Sequence, residues 1–231
     1  MEIINVRAKA VRGLRLDFPT DRQLAALVPA WTDGLNHQIC FIDEKKLGRT
    51  EKVSEYSSMV SSADLILPAT VSLIKKILDP RGKSSAFDLH GIAVPQSQEE
   101  YLSLFPPEGE EDTPPREYSP LHTLDILMSA LELRNGTVFL IGGTTPYLQR
   151  AERNLKCTFP RLRLVGRSPG NYLPREEADL MTALQKTAPD LILVGSLVAG
   201  GELWIPRHMN CTRSGIFFFD DSIIEVLAGT H

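Results

Sequence analysis

Residues 137–145 read Thr137-Val138-Phe139-Leu140-Ile141-Gly142-Gly143-Thr144-Thr145. The same phrase, an apolar run closing on glycine, returns at Leu162-Arg163-Leu164-Val165-Gly166 and at Leu191-Ile192-Leu193-Val194-Gly195. Runs this short and this apolar predict strands buried on both faces. Between them, residues 146–157 and 174–187 place apolar side chains at helical spacing, and residues 123–134 do so just upstream, ending at the turn Asn135-Gly136. Strand, helix, strand, helix, strand at this spacing predicts a parallel sheet with crossover helices. The fold class expected is α/β and Rossmann-like, a mostly parallel sheet with helices on both faces. Ligands of such sheets gather beyond the carboxyl ends of the strands, here near Gly142, Gly166 and Gly195.

Upstream, Gln38–Ile42 predicts a further short strand and Ala63–Pro68 another, with a helix over 49–62 between them. Val71, Leu73, Ile74, Ile77 and Leu78 then recur at helical spacing up to Asp79-Pro80. From about 95 to 120 the composition changes: five prolines surround Glu108, Glu110, Glu111 and Asp112, a pattern unable to bury enough apolar surface to order itself. It is expected to be a surface insertion in a single domain spanning 1–231, either a solvated loop or a lid.

The chain has 231 residues, 42% hydrophobic and 23% charged, so it can bury a sizeable core. Against 25 basic residues stand 29 acidic ones, a net charge of −4, which argues against nucleic acid as a main partner. Cys40, Cys157 and Cys211 are too few and too scattered for a disulfide framework, and fit a reducing cytoplasm. Residues 1–16 mix charges with apolar residues, unlike a secretory signal, and no run approaches the roughly 20 apolar residues of a membrane span. A soluble cytoplasmic protein is expected. The sequons at Asn135 and Asn210 are then chance matches.

Gly142-Gly143-Thr144-Thr145 after a buried strand offers backbone amides and a helix N-terminus to a phosphate, although a tight turn with no ligand has the same spelling. The six-residue dinucleotide fingerprint is absent, which argues against a nucleotide-dependent oxidoreductase. No two of His37, His90, His122, His208 and His231 stand four apart, so no metal site is expected. Asp220-Asp221 reads as a solvated turn.

The order of these motifs resembles the bacterial N-acetylmannosaminyltransferases of teichoic-acid and enterobacterial-common-antigen synthesis, the WecB/TagA/CpsF family. Val138–Gly143, Leu162–Gly166, Gly170-Asn171-Tyr172, Pro189–Gly195, Glu202 and Trp204-Ile205 carry the resemblance, with Glu225–Gly229 after them and Ala63–Pro68 before. It implies metal-independent transfer of an amino sugar from a UDP-sugar to a lipid-linked acceptor, with inversion and without a cofactor. Partners implied are a UDP-sugar or other nucleotide, a lipid-linked acceptor or a partner enzyme, and a second copy in a homo-oligomer. Gly142, Gly143, Gly166, Tyr172, Gly195 and Glu202 become candidate nucleotide-sugar residues.

The chain also departs from the pattern. Directly after the strand proline, where the family places the proposed base, stands Ala69, which cannot accept a proton. The family's Thr-x-Asn reads Phe41-Ile42-Asp43, and its Gly-x-Pro-x-Gln-Glu reads Gly195 to Glu202 without the proline and glutamine. Asp43, with Glu44 beside it, is the candidate to replace the base, and the alternative is a catalytically inactive relative that binds a nucleotide sugar or a partner. Family members usually continue into a basic C-terminal appendage, so a chain ending at His231 is expected to match the family core alone.

Overall fold

The computed structural model describes residues 4, 6–78 and 116–230. Six strands form one sheet: β3 (Asn36–Ile42), β4 (Leu65–Pro68), β5 (Thr137–Ile141), β6 (Arg163–Ser168), β7 (Leu191–Val194) and β8 (Gly215–Phe219). Their spatial order is β4-β3-β8-β7-β5-β6, and every neighbouring pair is parallel. A separate antiparallel hairpin pairs β1 (Ala8–Val11) with β2 (Leu14–Asp17).

The pleat divides the central strands between two cores. Val138, Leu140, Leu191, Leu193, Ile216 and Phe218 point to one face, whereas Phe139, Ile141, Ile192, Val194, Phe217 and Phe219 point to the other. On the first face pack α1 (Asp21–Ala30), α5 (Pro120–Leu133) and α6 (Thr145–Thr158), through Leu24, Leu127 and Leu148 among others. The second is covered by α7 (Pro174–Thr187) and α8 (Trp204–His208), through Leu180, Leu184 and Trp204. Each fully buried side chain of this size contributes about 1.5–3 kcal/mol, so the double-faced burial is what holds a sheet of four- to seven-residue strands together. This is the mostly parallel, Rossmann-like α/β architecture expected from the apolar runs.

Local spelling explains most element ends. Pro120 and Pro174 open α5 and α7, where a missing N–H costs nothing. Asn135, at φ 53, turns α5 towards β5. The strand over 191–194 and the helices over 71–78 and 174–187 fall where the periodicity puts them.

Four expectations change. The helix expected over 49–62 is two helices, α2 (Glu44–Thr50) and α3 (Ser54–Ser62). Asp43 caps α2 by accepting from the Lys46 amide (2.7 Å), Thr50 Oγ1 bonds back to the Leu47 carbonyl, and Val53 is extended before α3 begins. The strand expected to close on Gly166 runs on to Ser168, because Arg167 and Ser168 keep pairing with Leu140 and Ile141 of β5; at Gly166 itself a Cβ would lie 2.2 Å from the Phe139 ring. Residues 1–16, read only for a signal, include all of the hairpin but its last residue, Asp17, and its turn Arg12-Gly13 has positive φ at both positions. Strand β8 and the helix after it, α9 (Ile223–Leu227), were not anticipated, although Gly215–Phe219 is a continuous apolar run.

Helix α4 (Val71–Leu78) follows β4. The insertion expected over about 95–120 lies outside the described residues up to 115. Its last part is anchored: Tyr118 is buried, donates its hydroxyl to the Pro19 carbonyl (2.8 Å) and its amide to the Pro68 carbonyl. Arg116 pairs with Asp21.

Candidate functional site

The chain runs outward from β3 to β4 on one side of the sheet and from β5 to β6 on the other, with β8 inserted between β3 and β7. A sheet of this kind receives ligands in crevices beyond the carboxyl ends of its strands, those of β3 and β8 among them. There the structure has an open cleft of about 720 Å³. Asp43 enters it from the end of β3, Phe219 and Asp221 from the end of β8, and Gly200, Gly201 and Glu202 from the segment after β7. Helix α2 forms the remaining wall.

The floor is organised by a buried carboxylate. Gly200 and Gly201 both have positive φ, 86 and 55, a path open to glycine at no steric cost, and it tucks Glu202 beneath the cleft. Glu202 is only 6% exposed. Its Oε1 accepts from Lys46 Nζ at 3.2 Å and its Oε2 from the Tyr56 hydroxyl at 3.1 Å. Lys46 Nζ also donates to the Phe41 carbonyl (3.0 Å), so the lysine closes the end of β3 onto the loop from β7. Burial, and then the neighbouring Glu202 charge, push the Tyr56 hydroxyl well above the usual tyrosine range. The same two causes push up the thiol of the buried Cys40.

Around this floor the cleft carries both signs of charge. Asp43 Oδ1 is committed to capping α2, whereas Oδ2 accepts no hydrogen bond among the described residues. Glu44 also lines the cleft, and its carboxylate is held by the hydroxyls of Thr70, just after β4, and Ser72, in the first turn of α4. Lys45, Arg49 and Lys52 form the cationic wall. Ala69, partly buried, donates its amide to the Ile42 carbonyl and presents only a methyl group. No group of three or more His, Cys, Asp or Glu side chains able to hold a metal ion occurs among the described residues.

Of the residues singled out in the sequence, Asp43, Glu44, Glu202 and Asp221 come together in this cleft, whereas Gly142, Gly143, Gly166, Tyr172 and Gly195 do not line it. The Gly142 amide donates to the Ser168 carbonyl, the Gly143 amide to Ser196 and the Gly195 amide to Ile141. Gly142 and Gly195 meet backbone to backbone, with a Cβ on Gly142 only 2.8 Å from Gly195. Ile224 of α9 covers Gly143 and Gly195, and Glu225 beside it accepts from the Ser196 hydroxyl (2.7 Å). These glycines let strand ends and a helix approach closely, and their amides donate to backbone carbonyls. Gly166 makes room for Phe139. Tyr172 sits on the other core face, its hydroxyl accepting from Trp204 Nε1 at 2.6 Å. Asp220 caps its own turn through Ser222, as expected of a turn.

The family model described as Glycosyl transferase WecG/TagA/CpsF family matches residues 111–231 of the chain. The chain belongs to this family. It is the family to which the order of motifs pointed, and glycosyl transfer in cell-envelope polysaccharide synthesis is the activity it suggests. No curated protein matches the chain. The part matched to the WecG/TagA/CpsF family includes β5 to β8 and Glu202; Asp43, Ala69 and the cationic wall of α2 precede it. No helix among the described residues is long and apolar enough to cross a membrane.

The cationic wall escaped the sequence reading because Lys45 and Lys46 look like a polar loop when the helix is started at residue 49. The signal lay in Asp43: an N-cap residue there starts α2 at Glu44 and puts positions 45 and 49 on one face, with 52 in the turn that follows.

Proposed function

We propose that this WecG/TagA/CpsF family member is a cytoplasmic transferase that moves an N-acetylmannosamine-type amino sugar from a UDP-sugar in the cleft to a lipid-linked acceptor. One observation carries the reading: a carboxylate, Asp43, lines the cleft at the end of β3 with one oxygen uncommitted among the described residues. In the step proposed, the acceptor hydroxyl oxygen forms a bond to the anomeric carbon as the bond from that carbon to the diphosphate oxygen breaks. The hydroxyl proton passes to Asp43, the bonding pair leaves with UDP, and configuration at the anomeric carbon inverts. Cationic side chains across the cleft oppose the charge that develops on the departing diphosphate. Glu202, held from below by Lys46 and Tyr56, is suited to accept from sugar hydroxyls.

Release of UDP from UDP-N-acetylmannosamine in the presence of a lipid-linked acceptor tests the reading. Asp43→Asn keeps a side-chain oxygen to cap α2 and removes the base, so turnover should fall about 10²–10⁴-fold. Full rate in that variant would refute the assignment of Asp43.

Ala69 favours a second reading, a non-catalytic relative that binds the nucleotide sugar for a partner. The methyl group stands at the end of β4, and Glu44, the other carboxylate nearby, is already held by two hydroxyls. UDP-sugar binding without turnover across a panel of donors and acceptors would decide for it.

A further inference from the structure

Two independent features say where the charged part of a nucleotide sugar sits, given the donor reading above. The first is a closure. At the turn where strand-end glycines suggest a phosphate cradle, the amides of Gly142 and Gly143 are both donated to backbone carbonyls, Ile224 packs on Gly143, and the Glu225 carboxylate stands beside it. A diphosphate there would lose its backbone donors and face a like charge.

The second is a row of cations along one wall of the cleft. Lys45 and Arg49 are four residues apart on one face of α2, Lys52 stands in the turn that follows the helix, and all three line one cleft. Like charges at this spacing destabilise a helix by a few tenths of a kcal/mol per pair unless something compensates them. Among the described residues Lys45 and Lys52 make no ion pair, and Arg49 lies over the Tyr56 ring, 4.2 Å from its centre. Of the anions around the cleft, Glu51 pairs with Arg12 (2.8 Å), Glu44 holds Thr70 and Ser72, Glu202 holds Lys46 and Tyr56, and Asp43 caps α2 with one oxygen; Asp43 and Asp221 line the cleft without an ion pair to these cations. Three cations of the same sign on one wall, two of them with no anion, match a ligand carrying two adjacent phosphates.

We infer that the diphosphate of the donor docks on Lys45 and Arg49 of α2 and Lys52 of the turn after it, and not on the Gly142-Gly143 turn. The sugar then extends towards Asp43 and Glu202, and the leaving group departs along a cationic wall that stabilises its charge. Lys46 has a different part, that of holding Glu202 in place.

The test is calorimetric binding of inorganic pyrophosphate and of UDP to the full chain, to Lys45→Ala/Lys52→Ala, and to Ser196→Ala at the glycine turn. Both lysines are exposed, so the double variant keeps the fold, as circular dichroism will show. Affinity for both probes should fall about tenfold in the double variant, each exposed charge pair being worth up to about 1 kcal/mol, and change less than twofold in Ser196→Ala. Raising salt should erase the difference between the wild-type chain and the double variant. Equal binding by the double variant, or no binding of either probe to the wild-type chain, overturns the inference. UDP-sugar turnover with an unchanged KM in the double variant would overturn it while leaving the proposed function intact. Lysine-dependent pyrophosphate binding without UDP or UDP-sugar binding would support this anion site and remove the donor reading instead.

Discussion

Lys46→Met tests the floor of the cleft. The Nζ stands 3.2 Å from Glu202 Oε1, and the lysine side chain is 30% exposed against 6% for the glutamate. With an effective dielectric constant of about 20, the gross attraction at that distance is about 5 kcal/mol. Dehydration of both groups offsets most of it, and removing one partner of a fully buried pair costs about 3–5 kcal/mol. The partial exposure of Lys46 brings the expected loss to about 2 kcal/mol, because water reaches the lysine side of the pair. Methionine keeps most of the apolar stem, so the loss reports the ammonium group, including its bond to the Phe41 carbonyl. For a chain of this size it corresponds to a fall in Tm of about 4–8 °C. Urea unfolding of the two single variants and of Lys46→Met/Glu202→Gln measures the coupling. Once the unpaired carboxylate is neutralised, the double variant should be more stable than the sum of the single losses by about 1–2 kcal/mol. A loss below about 0.5 kcal/mol in Lys46→Met, or strict additivity, would refute the account of this network.

Gly142→Ala should destabilise the fold by about 3 kcal/mol or abolish expression, because its φ is 126 and the new Cβ meets the Gly195 backbone at 2.8 Å; a Tm within 2 °C of wild type contradicts this close approach. Tyr118 is pushed up to about 12, chiefly by burial, so its folded-state value exceeds the ordinary value of about 10. The stability from its protonated form is present below pH 10 and lost as pH rises towards 12; Tyr118→Phe should flatten that alkaline fall, and an unchanged pH profile counts against it. Asp33 is held below the usual carboxylate range, first by its hydrogen bond to His37. Its contribution is present above the usual range and lost as pH falls through the depressed value, so His37→Gln should move acid unfolding to higher pH.

The scaffold was legible because a parallel sheet covered on both faces spells its strands as unbroken apolar runs. Val138–Ile141 and Leu191–Val194 are wholly buried, and no solvent face interrupts them. The same property hid the role of the glycines. A glycine after a strand is spelled identically whether a phosphate or a neighbouring backbone approaches it, and Gly142 against Gly195 is of the second kind. At Gly166 the space a side chain would take is filled by Phe139, 27 positions earlier in the chain and placed there by β5–β6 pairing. The cleft was half legible: Asp43 and Glu202 stood out by type and position. The residues that hold Glu202, Lys46 and Tyr56, are 156 and 146 positions away from it, and only the crossing of β8 between β3 and β7 brings them together.

The central claim is that ligands enter at the ends of β3 and β8 and not at the glycine turn after β5. Titrating UDP into the ¹⁵N-labelled chain and following the backbone amides tests it most directly. The account predicts that the largest shifts fall on 43–52 and 200–202. Shifts concentrated on Gly142, Gly143 and Thr144, with the amides of α2 unmoved, would contradict it.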